Sequence, residues 1–170
     1  MAGLPGNINE EELRAFIGPN AEGYLDKWRS IDYGRKSKIA VNGLAGIFGP
    51  FWMVYRKFYL LLLAYLGVVV LQGTAEILVL EYWLGWRDLG QVMTLPTAVL
   101  YMVILGCYAN YWYFLYACRM IRRVRSGQGS DEHDLERIRR KGGVSWPAVI
   151  VLVSAIVGLL LLADYLATFS

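Results

Sequence analysis

Three polar side chains lie inside long apolar stretches of the sequence and are its first candidates for chemistry. Gln72 and Glu76 are one helical turn apart, and Asp164 lies near the end of the last apolar stretch. An ionisable group in lipid is costly, so such a residue is a functional candidate by default. With Thr74, and with Arg87 as a counter-ion, these residues predict a polar pocket that opens to one side of a membrane. Such a pocket would suit an ion or solute pathway built by several copies of the chain.

A simpler interpretation puts each carboxylate at the membrane surface. Glu76 lies only about 6 Å of helix rise from Leu80, so its side chain can extend to the interface. Asp164 is similarly close to Phe169. We favour this interpretation, and the shared pocket stays as the alternative.

The sequence contains no constellation typical of an enzyme. His133 is the only histidine and lies among charged residues, so we expect it to be solvated. Cys107 and Cys118 lack the spacing of a metal site or a redox pair. Neither a nucleophile–base pair nor a phosphate-binding loop is found. We therefore expect a protein that is not an enzyme and binds neither a metal nor a cofactor.

Small and amide residues in the later apolar stretches predict close helix packing. Gly106 and Asn110 are four residues apart, as are Ser154 and Gly158, so each pair shares one helix face. Asn110 is expected to bond a neighbouring helix. Whether these faces pack within the chain or against another subunit stays open.

Aromatic residues recur at four-residue spacing toward the basic end of the second apolar stretch, at Tyr108, Trp112 and Tyr116. They could form a platform for a ring-shaped ligand. We favour an interfacial girdle combined with ordinary helix packing, because aromatic side chains concentrate at the membrane–water boundary.

These side chains belong to three apolar stretches, 59–80, 95–117 and 145–169, that predict membrane-spanning helices. The chain is 56% hydrophobic and only 18% charged, whereas soluble domains carry about 25% charged residues. A helix of 22 residues is about 33 Å long, enough to cross the ~30 Å hydrocarbon layer. We therefore predict an all-α membrane protein with three transmembrane helices. The net charge of +3 gives no reason to expect nucleic acid binding.

Lysine and arginine are distributed asymmetrically around these stretches. Eight precede the first, one (Arg87) lies between the first and second, eight lie between the second and third, and none follows. Cytoplasmic loops of membrane proteins carry such an excess of positive charge. We predict a cytoplasmic N-terminus and a cytoplasmic charged connection at 119–143, with the 81–94 loop and the C-terminus outside. The basic clusters also favour contact with anionic lipid headgroups.

Residues 1–38 predict a short cytoplasmic helical hairpin. Asn9 can cap a first amphipathic helix, and Gly18-Pro19 separates it from a second helix that carries Tyr24 and Trp28. The hairpin could lie on anionic headgroups, or it could be a cap packed on the protein itself. Both placements stay open.

Within the segment 39–58, residues 39–55 are apolar but rich in glycine, and Gly49-Pro50 interrupts them. A full crossing here would put Arg56-Lys57 on the far side with almost no turn before the next helix. We therefore predict an interfacial or re-entrant helix that breaks at Gly49-Pro50, since proline disfavours a continuous helix. Trp52 and Tyr55 would then lie in the headgroup layer.

The same stretch carries a motif that resembles a known bacterial family. The motif N-x-x-A-x-x-F-G-P-x-W-x-x-Y-R-K consists of Asn42, Ala45, Phe48, Gly49, Pro50, Trp52, Tyr55, Arg56 and Lys57. The phrases Phe16-Ile17-Gly18-x-Asn20, Tyr24-Leu25-x-Lys27-Trp28 and Arg140-Lys141-Gly142-Gly143-x-Ser145 are also similar to that family. Its members are small integral inner-membrane proteins classed as a domain of unknown function. The resemblance implies a helical protein of the inner membrane and supplies no activity.

Together these features favour a non-enzymatic accessory or scaffold protein of the bacterial inner membrane. We expect it to bind lipid with anionic headgroups and either another membrane protein or a second copy of itself. The alternative is a small transporter or channel formed around Gln72, Glu76 and Asp164. We divide the chain into a cytoplasmic segment at 1–38, an interfacial or re-entrant motif at 39–58, and a transmembrane region at 59–170.

Overall fold

The computed structural model of the protein describes residues 8–30, 32–34, 36–86, 89–126 and 131–168, and every regular element in them is helical. Arg87, Phe169 and the side chain of His133 lie outside this description. The α-helices, in chain order, are α1 (Glu10–Ile17), α2 (Ala21–Ser30), α3 (Gly43–Tyr55), α4 (Tyr59–Glu76), α5 (Leu89–Arg125), α6 (Asp131–Lys141) and α7 (Trp146–Ala167). A 3₁₀ turn at Asp32–Gly34 follows α2, and π-helical turns at Ile77–Trp83 extend α4.

Three of these helices are long and apolar enough to cross a membrane, which confirms the predicted number. The first is the stretch Tyr59–Leu80, formed by α4 and the start of its π-helical extension. The second is α5, and the third is α7, which begins where the Ser145 hydroxyl accepts a 3.3 Å hydrogen bond from the Ala148 amide. That N-cap satisfies one of the free amides of the first turn.

Helix α5 is much longer than the 95–117 stretch that apolarity predicts. Its 37 residues make a rod of about 55 Å, well beyond the ~30 Å of a hydrocarbon layer. Hydropathy marks only the part of a helix that lipid requires to be apolar. The last turns of α5 are basic and carry the helix past that part, and Arg125 there pairs with Glu12 of α1.

Helix α3 is kinked at Gly49-Pro50, the position of the predicted break, and the backbone of Gly49 is not helical there. Gly49 has φ of +35° and absorbs the bend, because glycine tolerates positive φ. The helix then continues to Tyr55. Its 13 residues span only about 20 Å, too short for a full crossing. It packs most extensively against α5.

The hydrophobic core lies where α1, α2 and α3 meet the second half of α5. Its largest fully buried side chains include Trp28, Tyr113, Phe16, Phe114 and Leu13. By contrast, α4 and α7 contain no buried residue. The described chain therefore has one aromatic-rich packed end, from which α4 and α7 extend with apolar surfaces exposed.

Trp52 is part of this core, although we expected it in the headgroup layer. Its indole Nε1 donates a 3.2 Å hydrogen bond to the hydroxyl of Tyr24 on α2, and only 5% of the residue is exposed. The apolar faces of α1 and α2 are buried against α5 and cover this side of α3. A contact between α2 and α3 of this kind has no signature in the local sequence.

Candidate functional site: the motif junction

The asparagine that opens the motif is buried between α3 and α5. The side-chain oxygen of Asn42 accepts a 3.1 Å bond from the Ala45 amide and so caps α3. Its Nδ2 donates a 2.9 Å bond to Asn110 Oδ1, and Asn110 Nδ2 donates 3.2 Å to the Val41 carbonyl. One amide pair therefore fixes the start of α3 against the middle of α5.

Backbone groups reinforce the same contact. The Ala40 and Asn42 amides donate bonds of 3.0 and 2.7 Å to the Cys107 and Gly106 carbonyls of α5. From the other side, Trp28 Nε1 donates a 3.0 Å bond to the Asn110 carbonyl. Carbonyls within α5 thus accept bonds from outside the helix, which requires the approaching chain to come very close.

Glycines permit that approach, and Gly106 has the position that we expected of a packing residue. Gly106 faces Gly46 of α3. A Cβ added at Gly46 would lie 3.3 Å from the Gly106 Cα and 3.0 Å from the Met102 carbonyl oxygen. Two glycines facing each other let the backbones of α3 and α5 touch. The other expected packing pair, Ser154 and Gly158, is exposed on α7.

Arg56, near the end of the motif, is buried beside the end of α1. Its Nη1 donates a 2.9 Å bond to the Ile17 carbonyl. Its guanidinium carbon lies 4.4 Å from the ring centre of Tyr24 and 5.5 Å from that of Tyr113. A helix C-terminus and aromatic faces both attract a cation. Among the described residues no carboxylate pairs with Arg56, so the rings and the carbonyl hold its charge.

Lys57 links the α3–α4 turn to the end of α6. Its Nζ donates bonds of 2.7 Å to the Gly142 carbonyl and 3.3 Å to the Arg140 carbonyl. Its own carbonyl accepts a 3.3 Å bond from the Tyr116 hydroxyl. An ammonium group therefore satisfies the carbonyls that α6 leaves free at its C-terminus.

The loop after α6 fits between α1 and α3. The Gly143 amide donates a 2.6 Å bond to the Phe16 carbonyl, and the Ser145 amide donates 2.9 Å to the Tyr55 carbonyl. A Cβ at Gly142 would lie 2.0 Å from the Phe16 carbonyl oxygen, so only glycine fits there without a shift of the backbone. We call this cluster the motif junction; it comprises Phe16, Ile17, Tyr55, Arg56, Lys57, Gly142 and Gly143.

The motif junction brings together three sequence phrases that lie far apart in the chain. Its polar contacts run from side chain to carbonyl or from amide to carbonyl within the protein. This arrangement positions helices and contains no group poised for proton transfer or nucleophilic attack. Phe48, Gly49 and Pro50 of the motif lie outside it: Phe48 is exposed, and the other two line a groove described next.

The intramembrane polar candidates are only partly brought together. Gln72 and Glu76 line a groove of about 450 Å³ between α3, α4 and α5. The Tyr101 hydroxyl donates a 2.6 Å bond to Gln72 Oε1, and Gln72 Nε2 donates 2.5 Å to Glu76 Oε1. Thr74 and Asp164 do not line this groove, and both are exposed. The predicted pocket therefore lacks Asp164, because α7 packs on α3 rather than across α4.

A second groove, of about 400 Å³, lies between the start of α4 and the basic end of α5, and we did not predict it. We call it the arginine groove; it is lined by Phe58, Leu60, Leu61, Ala64, Trp112, Leu115, Tyr116, Arg119, Met120 and Arg123. The sequence offered a signal, since Trp112, Tyr116, Arg119 and Arg123 recur at helical spacing. What it did not reveal is that the start of α4 forms the opposite wall.

One family model matches the chain, over residues 9–119, and its description is "Protein of unknown function (DUF2628)". The match includes the motif from Asn42 to Lys57 and ends before α6. No curated protein and no solved structure matches the chain.

Proposed function

Since the chain belongs to the family described as "Protein of unknown function (DUF2628)", which offers no activity to transfer, we propose its function from its own contacts. The protein is a non-enzymatic accessory or scaffold protein of the bacterial inner membrane. Its packed end is a rigid cytoplasmic platform, and α7 is the element that binds another membrane protein.

The exposure of α7 is the observation that carries this proposal. Its 22 residues include none that is buried, and the helix that it packs against is α3, at the end near Trp146. Its exposed surface presents Ser154 and Gly158, together with the carboxylate of Asp164. Small residues four apart let a second helix approach closely, and a carboxylate in an apolar helix is more stable when another protein covers it.

The opposite end of the molecule supports the platform. The motif junction ties α1, α3 and the α6–α7 loop together, with Arg56 and Lys57 on the carbonyls of Ile17 and Gly142. Most of the chain's lysine and arginine lies at this end, which favours its placement in the cytoplasm and the C-terminus outside. A fixed platform leaves α7 at a defined position in the bilayer.

Photo-crosslinking from α7 in intact bacterial membranes tests the proposal. A photoreactive residue at the exposed position Leu161 lies near the Ser154–Gly158 face, three residues beyond Gly158. We expect one discrete product that contains the chain and a second membrane protein. Ser154→Leu and Gly158→Leu should abolish it, because bulky side chains prevent close helix approach.

Ala163→Leu is the matched control, because it makes a similar small-to-large change on the opposite face of α7. It should leave the product intact. A product twice the mass of the chain would identify the partner as a second copy. If no product forms, or if the face variants and the control reduce it equally, α7 is not a partner-binding helix.

A small ion or solute pathway is a second candidate, and the chain of bonds from Tyr101 through Gln72 to Glu76 favours it. These groups line a groove, and several copies of the chain could close its open side. Flux into vesicles that contain the purified protein tests this candidate. Glu76→Gln should abolish the flux, whereas Asp164→Asn should not, because Asp164 is remote from the groove. Equal flux with Glu76→Gln, or none in the unmodified protein, would eliminate it.

A further inference from the structure

The arginine groove combines two features that a phospholipid requires. One end carries the guanidinium groups of Arg119 and Arg123, and the remainder is aliphatic and aromatic. None of the residues that line it is acidic. Because Arg119 and Arg123 are four positions apart on α5, both cations project over the same groove.

These two arginines form no ion pair with a described carboxylate, unlike several other arginines near the packed end. Arg14, Arg29, Arg125, Arg137 and Arg140 each form an ion pair with a carboxylate. Among the described residues, no carboxylate pairs with either Arg119 or Arg123. Two neighbouring cations repel each other unless an anion lies between them, and guanidinium groups match the oxygens of a phosphate.

The start of α4 adds a second attraction for an anion. In the described chain no side chain caps this helix at Phe58, so amides of its first turn are free to bind an acceptor. Phe58, Leu60 and Leu61, at and just after this start, are among the residues that line the groove. The arginines of α5 and the start of α4 therefore line the same groove.

The apolar lining of the groove suits an acyl chain. Leu60, Leu61 and Ala64 of α4 and Leu115 of α5 form an apolar channel that leads away from the arginines into the span. Along α5, Tyr116 is three residues from Arg119 and lies at the level where an ester linkage of a lipid would sit, whereas Trp112 lies deeper than Leu115. Aromatic side chains of this kind are typical at the level of lipid headgroups.

We propose that the arginine groove is a binding site for one anionic phospholipid. Its phosphate lies between Arg119 and Arg123 at the start of α4, and an acyl chain lies along Leu61, Ala64 and Leu115. This inference rests on the membrane placement in the proposed function, and it adds a lipid that belongs to the platform. It does not depend on what α7 binds.

Native mass spectrometry of the full chain, released from detergent micelles that contain phosphatidylglycerol and phosphatidylcholine, tests the site. The unmodified protein should retain phosphatidylglycerol in preference to phosphatidylcholine. Arg119→Gln with Arg123→Gln should lower the retained phosphatidylglycerol by about tenfold or more, since each charge near a membrane surface contributes roughly 1 kcal/mol. Ala64→Phe fills the channel without changing the charge and should also reduce retention.

The matched control is Arg122→Gln with Arg139→Gln, which removes the same charge from residues that do not line the groove. It should retain nearly as much lipid as the unmodified protein. If the groove variant and the control lose equal amounts of phosphatidylglycerol, the retention depends on general surface charge, and the proposed site is wrong. Displacement of the lipid by inorganic phosphate would show that a free anion alone is held, and would also overturn it. Ser154→Leu with Gly158→Leu should leave retention unchanged, which separates this result from the test of α7.

Discussion

The side-chain amide of Asn42 donates a 2.9 Å hydrogen bond to the side-chain oxygen of Asn110, and both residues are buried. The two asparagines are 68 positions apart in the chain. Each makes a further bond, Asn42 to the Ala45 amide and Asn110 to the Val41 carbonyl. Since a buried amide is costly when any of its groups lacks a partner, this pair favours one register of α3 on α5 over others.

Removal of either asparagine should destabilise the fold by an amount that depends on the other. Asn110→Ala leaves Asn42 Nδ2 and the Val41 carbonyl without their partners, and we expect a loss of about 1–3 kcal/mol in the free energy of unfolding. Asn42→Ala also removes the cap of α3, a loss of roughly 1 kcal/mol by itself. Unfolding of the single and double variants in mixed micelles of increasing SDS content measures the coupling.

The double variant should be less destabilised than the sum of the two single variants. A strictly additive result would mean that the two amides do not support each other. Thr74→Ala, which truncates an exposed polar side chain of α4, provides the control for a general effect of removing a polar group.

The close contact at Gly142 predicts a large effect from one methyl group. Gly142→Ala places a Cβ 2.0 Å from the Phe16 carbonyl oxygen, so the α6–α7 loop must move away from α1. We expect a loss of about 1–3 kcal/mol in the free energy of unfolding, the range of overpacked sites. The Gly143 amide would also lose its bond to Phe16. The same SDS titration measures the change.

Gly67→Ala in α4 is the matched control, since a Cβ there meets no atom within 4 Å. It should leave the protein equally stable or slightly more so, because alanine favours a helix over glycine by about 1 kcal/mol. If Gly142→Ala were as stable as Gly67→Ala, the loop would not be held against α1 as described.

Glu10 provides a prediction that depends on pH. Hydrogen bonds from Arg29, the largest cause, and from Tyr33, the next largest, lower the pKa of Glu10 from 4.5 to about 2. A depressed pKa means that the stabilisation is present above about 4.5 and is lost as the pH falls through about 2. Because both side chains are about a third exposed, screening by solvent keeps the contribution of this ion pair small. A ¹³C NMR titration of the Glu10 carboxyl in micelles should give a midpoint near 2.

Two variants separate the causes of this shift. Arg29→Gln should raise the pKa of Glu10 more than Tyr33→Phe does, since the bonds to Arg29 are the larger cause. The Tyr33 hydroxyl donates a single 2.5 Å bond to Glu10 Oε1. A midpoint near 4.5 in the unmodified protein would show that Arg29 and Glu10 are not paired in solution.

Several features of the fold were accessible from local sequence. Apolarity and length predicted three spanning helices at 59–80, 95–117 and 145–169, and the described part of the chain has three helices long and apolar enough to cross a membrane. These predictions depend on neighbouring residues alone, because each helix satisfies its own backbone and its apolarity is a local sum. The predicted bounds are wrong where a helix continues beyond its apolar stretch, as α5 does to Arg125.

The candidate sites were less accessible. The expected pocket joined Asp164 to Gln72 and Glu76 because all three are polar residues in apolar stretches, and spacing along the chain says nothing of how α7 is placed beside α4. Trp52 was expected at the membrane surface because its type favours that location, yet its indole is buried against Tyr24. Residue type predicts an average environment, and packing decides the actual one.

The sequence by itself determined that this is a helical protein with three apolar stretches, two basic clusters, and a motif from Asn42 to Lys57. Only the tertiary structure decided which groups the motif contacts. Arg56 donates a hydrogen bond to the Ile17 carbonyl, and Lys57 donates one to the Gly142 carbonyl, 85 positions away in the chain. Such contacts form between chain segments that have no regular spacing from each other. They are fixed when the core packs, because the buried amides, carbonyls and cations must then find partners.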